Sequence, residues 1–314
     1  MDTAEKPTPD FKVADATSYD AHVGDFERFT AVLTTPLAVR MIAMAGISAG
    51  QRVLDIGTGT GVVAIEAAKA AGPEGHCVGI DLSEKMLDSA KANARLAGLA
   101  ERIEFRAMDA EALQFADASF DVVVSLFALL HFPNPDTALN EMFRVLKPGG
   151  TLVIAVGSAP PWLSRQGLQH ALKLVPEMFA RLSGRQLVAP AFLNRLVEDC
   201  IPAHEEAEES TLAQAGRNRT RSVPQLVREA GFENLRRHWE GQQGRLKTAA
   251  DFWDIQRTFS SIARKRLNSA PPERAAEVRA TFDRRCETVL SRGGRLTYPF
   301  AAFFVAARRP GARR

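Results

Sequence analysis

Three glycines at alternate positions constrain the fold of this chain more than any other feature of its sequence. Gly57, Gly59 and Gly61 stand in RVLDIGTGTGVVAIEAAKAAG, between an apolar run of strand type and an alanine-rich helical stretch. A strand, a glycine turn and a helix in this order direct unpaired backbone N–H groups and the positive end of a helix dipole at the space above the strand. The segment therefore predicts a strand–turn–helix unit whose turn faces a negative or polar group.

Apolar runs with β-branched residues alternate with helical segments in the first half of the chain, which is the pattern of a parallel sheet flanked by helices. The strands are predicted at 52–56, 76–80, 102–107, 120–126 and 151–156, with later ones in ENLRRHWEG and at 296–307. The helices between them are predicted at 61–72, at 83–98 with Ser83 as N-cap, and from Asp136 onward. We therefore expect an α/β fold.

The composition sets limits on other classes of function. With 46% hydrophobic and 25% charged residues, 314 residues suffice for a full core, and a net charge of +3 gives no reason to expect a nucleic-acid partner. Cys77, Cys200 and Cys286 stand far apart without a C-x-x-C pair, so neither a disulfide framework nor a metal site is expected. The start MDTAEKPTPD lacks a signal-peptide pattern, and VVVSLFALLHF is too short for a transmembrane helix. We expect a cytoplasmic protein without a membrane partner, and we leave a homodimer open.

Two aspartates mark the ends of the second and third predicted strands. Asp81 stands 24 residues after Gly57, where an acidic side chain can accept hydrogen bonds from both hydroxyls of a ribose. Asp109 is placed to receive an adenine amino group, and Ala110 leaves room for the ring. Each feature alone has a structural explanation, because glycines serve tight packing and Asp81 could cap a helix. Together they indicate an adenosine bound across the carboxyl ends of the strands.

Five segments follow one another in the order VLDIGTGTG, GIDLSEKMLDSAK, MDAEAL, FDVVVSLFALLHF and EMFRVLKPGGTLVI. In this order they resemble the motif series of class I S-adenosylmethionine-dependent methyltransferases, closest to the ubiquinone/menaquinone-biosynthesis type and related small-molecule enzymes. The resemblance covers about residues 50–157 and implies a Rossmann-like sheet of seven strands, mostly parallel with an antiparallel final strand. It also implies S-adenosylmethionine as cofactor, S-adenosylhomocysteine as product, and methyl transfer to O, C or N of a small molecule by in-line displacement.

The resemblance implies contacts to each part of the cofactor. Contacts to the methionine and ribose are implied for Gly57, Thr58, Gly59 and Asp81, and for the backbone carbonyl of Ser125 on the methionine amino group. Contacts to the adenine ring are implied for Leu82, Met86, Asp109 and Ala110.

The sequence leaves two roles open for the aromatic residues of two segments, namely contact with a ligand and packing. Tyr19, in the N-terminal SYDAHVGDF, either closes over the cofactor, as an aromatic residue of this region often does in related enzymes, or lies on the surface. For Phe127 and Phe132 the sequence favours a packing role, although an aromatic face near a sulfonium would also be favourable.

His131 is the histidine that the sequence places beside the chemistry, since it follows the fourth strand in LLHFPNP. An imidazole at this edge of the sheet could take a proton from a hydroxyl or an activated carbon as the methyl group arrives. The alternative is a histidine that shapes the loop or packs on the cofactor, because an acidic acceptor needs no base. We treat His131 as the candidate catalytic residue.

The chain is expected to divide into an N-terminal helical lid, a cofactor-binding core, a helical cap and a completion of the core. The corresponding ranges are 1–49, 50–157, 158–221 and 222–314, with a second helical insertion near 248–292. Apolar side chains in the predicted cap suggest a small, apolar or aromatic acceptor, with packing on the main domain as an equal alternative. These side chains are Trp162, Leu168, Leu172, Met178 and Phe179.

Three other functions are weighed against methylation of a small molecule. A nicotinamide dehydrogenase is disfavoured because the turn reads G-x-G-x-G after Asp55, and neither Tyr19 nor Tyr298 has a lysine four residues on. A nucleic-acid methyltransferase is disfavoured because the fourth strand ends in SLFALLHF, without an Asn/Asp-Pro-Pro-Tyr motif. A cofactor-retaining enzyme or binding protein that does not methylate stays open, because the motifs concern the cofactor alone.

Overall fold

The computed structural model describes Lys12, Asp20 and residues 23–157, 179–180, 183–201 and 221–311. Tyr19 and most of the predicted helical cap lie outside the described residues. The sequence-based expectations for them, including those for Trp162, Leu168, Leu172 and Met178, therefore stay predictions. Phe179, the last residue of that group, is described and is 69% exposed.

The described residues form one eight-stranded sheet, whose strands are numbered in chain order. They are β1 (Arg52–Ile56), β2 (His76–Asp81), β3 (Ile103–Ala107), β4 (Phe120–Leu126), β5 (Leu146–Gly157), β6 (Gln186–Val188), β7 (Glu233–Leu246) and β8 (Arg295–Arg308). The order across the sheet is β3-β2-β1-β4-β5-β8-β6, and β7 pairs with the other edge of β8. The strand order therefore reverses between β1 and β4, which in open α/β sheets is where ligands bind.

The strand directions confirm the expected Rossmann-like sheet. β1 to β5 pair in parallel, and β8 is antiparallel to both β5 and β7. The count is one strand higher than predicted. The additional strand is the short β6, which pairs in parallel with Arg295, Leu296 and Thr297 and comes from a stretch predicted as helical.

Helices cover both faces of the sheet. They are α1 (Val23–Ala45), α2 (Val62–Ala71), α3 (Glu84–Leu96), α4 (Pro135–Val145), α5 (Ala191–Cys200), α6 (Val223–Glu229), α7 (Ala249–Phe259), α8 (Ser261–Ser269) and α9 (Pro272–Ser291). The Ser83 hydroxyl accepts a hydrogen bond from the Met86 backbone N–H at 3.1 Å, which confirms the predicted N-cap of α3. Helix α4 begins at Pro135, one residue before the predicted Asp136, because a proline lacks only an N–H that the first turn leaves unpaired.

The core lies on both faces of the sheet because its central strands are apolar on both sides. In β1, Val53, Leu54 and Ile56 are completely buried. One face packs against α1, α2, α5, α7 and α9, and the other packs against α4 and α6. A parallel strand that is covered on both faces reads as a mostly apolar run, here with Asp55 inside β1 and Asp121 and Ser125 inside β4, and the sequence located both strands at their observed bounds.

Helix α1 lies on α2 and on strands β4, β5 and β8, where it covers part of the sheet. It contains Pro36. Its segments Val23–Phe29 and Leu33–Ala45 meet at an angle of 66°. Taken together, the two segments have the length and apolar character of a membrane span. No single helix within the described ranges is both long enough and apolar enough to cross a membrane.

Candidate functional site

A cavity of about 730 Å³ opens above the carboxyl ends of β1, β2 and β4, at the reversal of the strand order. Its described lining divides by position on the sheet into what we call the charged half and the aromatic half. The charged half, towards β2 and β3, includes Lys12, Asp81, Asp109, Glu111 and His131. The aromatic half, towards β5 and β8, includes Phe26, Phe127, Trp239, Phe259, Tyr298 and Phe300.

The three glycines of the turn after β1 share a positive φ but lack side chains for two different reasons. All three have positive φ, at 71° for Gly57, 53° for Gly59 and 85° for Gly61, and glycine adopts such φ values without the Cβ penalty. A Cβ on Gly57 would meet Ala128, and a Cβ on Gly61 would meet Ala90 of α3 at 3.0 Å. Gly59 has no such neighbour and lines the cavity. Gly59 is therefore the glycine that leaves space for a ligand, whereas the other two permit close packing.

Asp55, near the end of β1, stabilises the glycine turn through a hydrogen bond. Its Oδ2 accepts a hydrogen bond from the Thr58 hydroxyl at 2.6 Å, and the side chain is almost completely buried. Burial and, to a smaller extent, the nearby Asp81 raise the pKa of the Asp55 carboxyl, hydrogen bonds from Thr58 and the Ala64 backbone oppose the rise, and the net value is about 7. The backbone N–H groups of Gly57 and Thr58 both donate to the Ile80 carbonyl at 2.9 Å, which ties the turn to the end of β2.

Asp81 lies at the end of β2 and joins the glycine turn to the start of α3. Its Oδ2 accepts from the Gly59 backbone N–H at 2.9 Å, and its Oδ1 accepts from the Ser83 backbone N–H at 3.0 Å. Burial raises the pKa of Asp81, while these backbone donors and the nearby His131 oppose the rise. Each carboxylate oxygen has a second acceptor site, so Asp81 can still receive two hydroxyl groups from the cavity.

Asp109 and Glu111 form a network beyond the end of β3. The Lys12 ammonium donates to Asp109 Oδ2 at 2.7 Å and to Glu111 Oε2 at 2.8 Å. Glu111 also accepts from the Asn134 backbone N–H at 2.9 Å and from the Asn134 side-chain amide at 3.0 Å, and its own backbone N–H donates to Asp109 Oδ1 at 2.9 Å. Burial lowers the pKa of Lys12, but its two carboxylate partners outweigh burial and the net shift is upward.

Apolar side chains cover the space between Asp81 and Asp109. Met86, Met108 and Ala110 are buried and line the cavity together with Leu82. They provide an apolar surface between two carboxylates. A planar ring with polar edges is complementary to this surface.

Ser125 is completely buried and lies outside the described cavity lining. The predicted contact of its backbone carbonyl with the methionine amino group stays a prediction. Its hydroxyl donates to the Ile56 carbonyl at 3.0 Å, which links β4 to β1. Leu126 and Phe127 line the cavity at this point. Phe127 has a φ of 64°, which is strained for an aromatic residue, and its backbone N–H donates to the Ala155 carbonyl at 2.8 Å.

Phe259, at the end of α7, is the centre of the aromatic half. Its ring centroid lies 5.4 Å from that of Phe26, 6.0 Å from that of Tyr298 and 5.7 Å from that of Phe300. The Phe127 ring packs edge-on against Phe300 at 5.3 Å. These separations are typical of favourable aromatic pairs, so the rings form one continuous wall.

Ion pairs between α1 and α7 hold Phe26 and Phe259 together. Arg28 pairs with Asp254 at 3.0 Å and with Asp251 at 3.5 Å, and Arg257 pairs with Asp25 at 3.3 Å. All five side chains are partly exposed, so the individual pairs contribute little and the network fixes mainly the approach of the two helices.

The structure brings nine of the predicted site residues to one cavity. They are Gly57, Thr58, Gly59, Asp81, Leu82, Met86, Asp109, Ala110 and His131. His131 is exposed at the rim and acts electrostatically on Asp81, so it belongs to the charged half. Within the described ranges, no group of three His, Cys, Asp or Glu side chains could hold a metal ion.

Sequence reasoning missed two parts of the cavity wall. A signal existed for the first, because Tyr298 and Phe300 stand two residues apart in the final strand and so face the same side of the sheet. No comparable signal existed for Lys12, which lies outside every motif and reaches Asp109 across 97 positions of the chain.

Comparisons with known proteins agree with this architecture. A family model described as a methyltransferase domain matches residues 47–217. The chain is 34% identical over 197 residues to the ubiquinone/menaquinone biosynthesis C-methyltransferase UbiE of Pseudomonas putida, which covers 63% of this chain and 71% of that relative. It is 31% identical over 195 residues to the UbiE of Vibrio vulnificus, covering 62% and 68%.

Two solved structures share the fold. The structure of a protein from Bacillus halodurans C-125, assigned as a methyltransferase, is 22% identical with a TM-score of 0.50, covering 87% of this chain and 98% of that one. Phosphoethanolamine N-methyltransferase 2 of Haemonchus contortus, solved with phosphomonomethylethanolamine and S-adenosylhomocysteine, is 18% identical with a TM-score of 0.52, covering 96% and 60%. At these identities the two structures show the fold alone.

Proposed function

Since the chain belongs to the class I S-adenosylmethionine-dependent methyltransferases, we propose that it transfers the methyl group of this cofactor to a neutral, aromatic or apolar small molecule. The observation that carries the proposal is the division of the cavity. The charged side chains of the described lining lie in the half that suits the nucleoside, and the other half is a wall of aromatic rings.

The charged half fits S-adenosylmethionine in shape and in polarity. Gly59 leaves an open cradle at the glycine turn, where a Cβ would otherwise enter the cavity. We propose that Asp81 accepts both ribose hydroxyls, that Leu82 and Met86 contact the adenine face, and that Asp109 and Ala110 contact its edge. Gly57 and Thr58 would complete the methionine side through the backbone.

The aromatic half supports an acceptor without charge. The described residues of this half contribute no Asp, Glu, Lys or Arg side chain to the lining, and Thr34 adds a single aliphatic hydroxyl. Burying an anionic acceptor against these rings without a partner charge would cost several kcal/mol. The C-methyltransferases that the chain is similar to act in ubiquinone and menaquinone biosynthesis, which favours a quinol-like ring and a carbon acceptor.

The reaction requires position more than covalent participation by the protein. When bound, S-adenosylmethionine supplies an activated methyl group on sulfur. The aromatic wall would hold the acceptor atom in line at near-attack distance and exclude water, which accounts for large rate effects in transfer reactions. His131 remains the candidate base, and its position beside Asp81 favours contact with the cofactor over contact with the acceptor.

The experiment is methyl transfer from tritium-labelled S-adenosylmethionine to two probes. The first is 1,4-naphthohydroquinone, kept reduced under nitrogen, and the second is phosphoethanolamine. We expect labelled naphthohydroquinone and an equal amount of S-adenosylhomocysteine, with no label on phosphoethanolamine. Label on phosphoethanolamine instead would contradict the acceptor class. Tight binding of the cofactor without transfer to any neutral aromatic probe would favour the alternative of a non-methylating protein.

The compartment, the homodimer and the division into lid, core and cap stay predictions. A cytoplasmic location is consistent with the reducing environment suggested by three cysteines without a paired motif.

A further inference from the structure

The network around Glu111 joins three parts of the chain that are distant in sequence. Lys12 comes from the N-terminal segment, Asp109 and Glu111 follow β3, and Asn134 precedes α4. Both Lys12 and Glu111 are largely covered, with side chains 17% and 7% exposed. The network adjoins the edge of the cavity where Asp109 is proposed to meet the adenine ring.

We propose that Lys12 is a positioning residue for adenine recognition, which holds the Asp109 carboxylate in the orientation that accepts the adenine amino group. The inference rests on the proposed cofactor site. It adds a residue that lies outside every motif and that discriminates adenine from other purines through Asp109.

Asp109 is fixed from two sides. The Glu111 backbone N–H donates to Oδ1 at 2.9 Å, and the Lys12 ammonium donates to Oδ2 at 2.7 Å. Two donors on two oxygens leave no freedom to rotate about the bond that carries the carboxylate. Each oxygen keeps one further acceptor site, so the carboxylate remains able to receive an amino group.

Lys12 does not depend on Asp109 for its own position. Glu111 accepts from its ammonium at 2.8 Å, and Glu111 is in turn held by the backbone and side-chain amides of Asn134. An anchored ammonium acts as a fixed support for Asp109. A lysine held by Asp109 alone would compete with an incoming amino group for the same oxygens.

The charge balance at this end of the cavity requires a cation. Asp81, Asp109 and Glu111 place three carboxylates around one ligand, and Lys12 is the single lysine or arginine among the described lining residues. Without Lys12, the carboxylates of Asp109 and Glu111 would repel each other, and Asp109 would turn towards solvent.

A second contact fixes the N-terminal segment beside Asp81. The Ser83 hydroxyl donates to Asp20 Oδ1 at 2.6 Å, next to the backbone N–H of Ser83 that Asp81 binds. The described N-terminal residues therefore touch the site at both aspartates. This placement supports a role of the segment in binding the nucleoside.

The test compares S-adenosylhomocysteine with S-inosylhomocysteine, in which a carbonyl replaces the adenine amino group. Calorimetry on the full chain measures both dissociation constants for the parent and for Lys12→Met. We expect the parent to prefer S-adenosylhomocysteine and Lys12→Met to weaken its binding about tenfold, with a change of less than about threefold for S-inosylhomocysteine. The preference between the two ligands therefore falls.

Two further variants separate positioning from stability. Lys12→Arg keeps a cation on both carboxylates and should keep the preference. Lys147→Met removes an ion pair of the same 2.7 Å length, to Asp121 at the start of β4, and should leave both constants unchanged. Thermal unfolding of each variant reports whether the fold is intact.

Each outcome bears on the inference. Equal weakening of both ligands by Lys12→Met would show a merely structural role, and tighter binding of S-adenosylhomocysteine would show a competitor, so either result overturns the proposal. A parent that binds S-adenosylhomocysteine without preference overturns the Asp109 contact and the inference with it. A parent that binds neither ligand overturns the proposed cofactor site itself.

Discussion

A Cβ atom on Gly57 would collide with the Cβ of Ala128, because the two would lie far inside the contact distance of two methyl groups. This approach brings the loop after β4 against the turn after β1, so that Phe127 and Gly59 line the same cavity. The absence of a side chain at Gly57 is therefore a requirement of the protein itself, whereas Gly59 has only the Phe26 ring near it and borders cavity space that we propose the cofactor fills.

Gly57→Ala should mainly lower stability, whereas Gly59→Ala should mainly weaken cofactor binding. Both replacements place alanine at positive φ, with a similar penalty of about 1–2 kcal/mol, but only Gly57→Ala adds a collision with Ala128. We expect Gly57→Ala to lower the melting temperature by roughly 5 °C more than Gly59→Ala. Gly59→Ala should weaken S-adenosylhomocysteine at least about tenfold, because its Cβ enters the cavity. Equal melting temperatures, or unchanged binding by Gly59→Ala, would contradict this assignment.

Asp81→Asn should weaken S-adenosylhomocysteine by about 10- to 100-fold, because two charge-assisted hydrogen bonds to the ribose become neutral ones. Asparagine is preferred to alanine here because its one carbonyl oxygen can still accept from either Gly59 or Ser83, whereas alanine loses both bonds. Calorimetry at pH 7.5 measures the effect. Asp88→Asn, on the exposed side of α3, is the matched control and should bind like the parent. Parent-like affinity of a folded Asp81→Asn protein would remove Asp81 from the ribose site.

Phe127→Gly and Phe127→Ala separate the strain at this position from its ring. Both lose the edge-on contact with Phe300, but only glycine tolerates the φ of 64° without penalty. We expect both variants to methylate 1,4-naphthohydroquinone at least about tenfold more slowly, while Phe127→Gly melts about 2–4 °C above Phe127→Ala.

Phe143→Ala is the control for Phe127, because it removes a similar edge-on pair, with Phe232 at 5.1 Å, outside the described cavity lining. It should lose stability and keep the rate per folded molecule. Parent-like transfer by both Phe127 variants would show that the ring takes no part in holding the acceptor.

The sequence was sufficient for the central sheet because its strands are covered on both faces. The run 120–126 is mostly apolar and rich in valine, which indicates a buried strand, and Ser83 is the N-cap of α3. The short β6 could not be predicted, since its three residues form a strand only through pairing with β8. Long-range pairing of this kind leaves no local periodicity.

Site residues that stand at the end of a strand could be predicted from the sequence. Site residues that reach the cavity only through tertiary packing could not. Asp81 is the last residue of β2 and Asp109 follows β3, and both line the cavity. Ser125 is buried in β4 and the next two residues, Leu126 and Phe127, line the cavity, so the contact predicted for the Ser125 carbonyl stays a prediction. Lys12 acquires its place through a tertiary ion pair, which no local pattern records.

His131→Asn tests the candidate base. Because His131 lies close enough to Asp81 to influence its ionisation, we expect the variant to change S-adenosylhomocysteine affinity a few-fold and to lower methyl transfer by less than about tenfold. The measurements are calorimetry and transfer to 1,4-naphthohydroquinone between pH 6 and 9. A larger loss of rate with unchanged cofactor affinity, recovering as pH rises, would establish His131 as the base after all.

Asp55 should give the stability of this protein a distinct dependence on pH. Burial raises the pKa of its carboxyl from 3.8 to about 7, so the folded protein binds a proton that the unfolded chain releases between these values. The free energy of unfolding therefore decreases through this group as pH rises from about 4 to 7, by up to about 4 kcal/mol, and is constant above. The sign is opposite to that of a carboxylate stabilised by an ion pair.

Asp55→Asn isolates this term, because asparagine retains an acceptor for the Thr58 hydroxyl and cannot ionise. Urea unfolding at pH 5, 6, 7 and 8 gives the difference in stability between variant and parent. We expect the free energy of unfolding of the variant to rise relative to that of the parent by about 1.4 kcal/mol for each pH unit between 5 and 7. Above pH 7 the difference should change little. Parallel stability curves over the whole range would mean that the Asp55 carboxyl titrates alike in the folded and unfolded states, and that Thr58 and the turn compensate its burial completely.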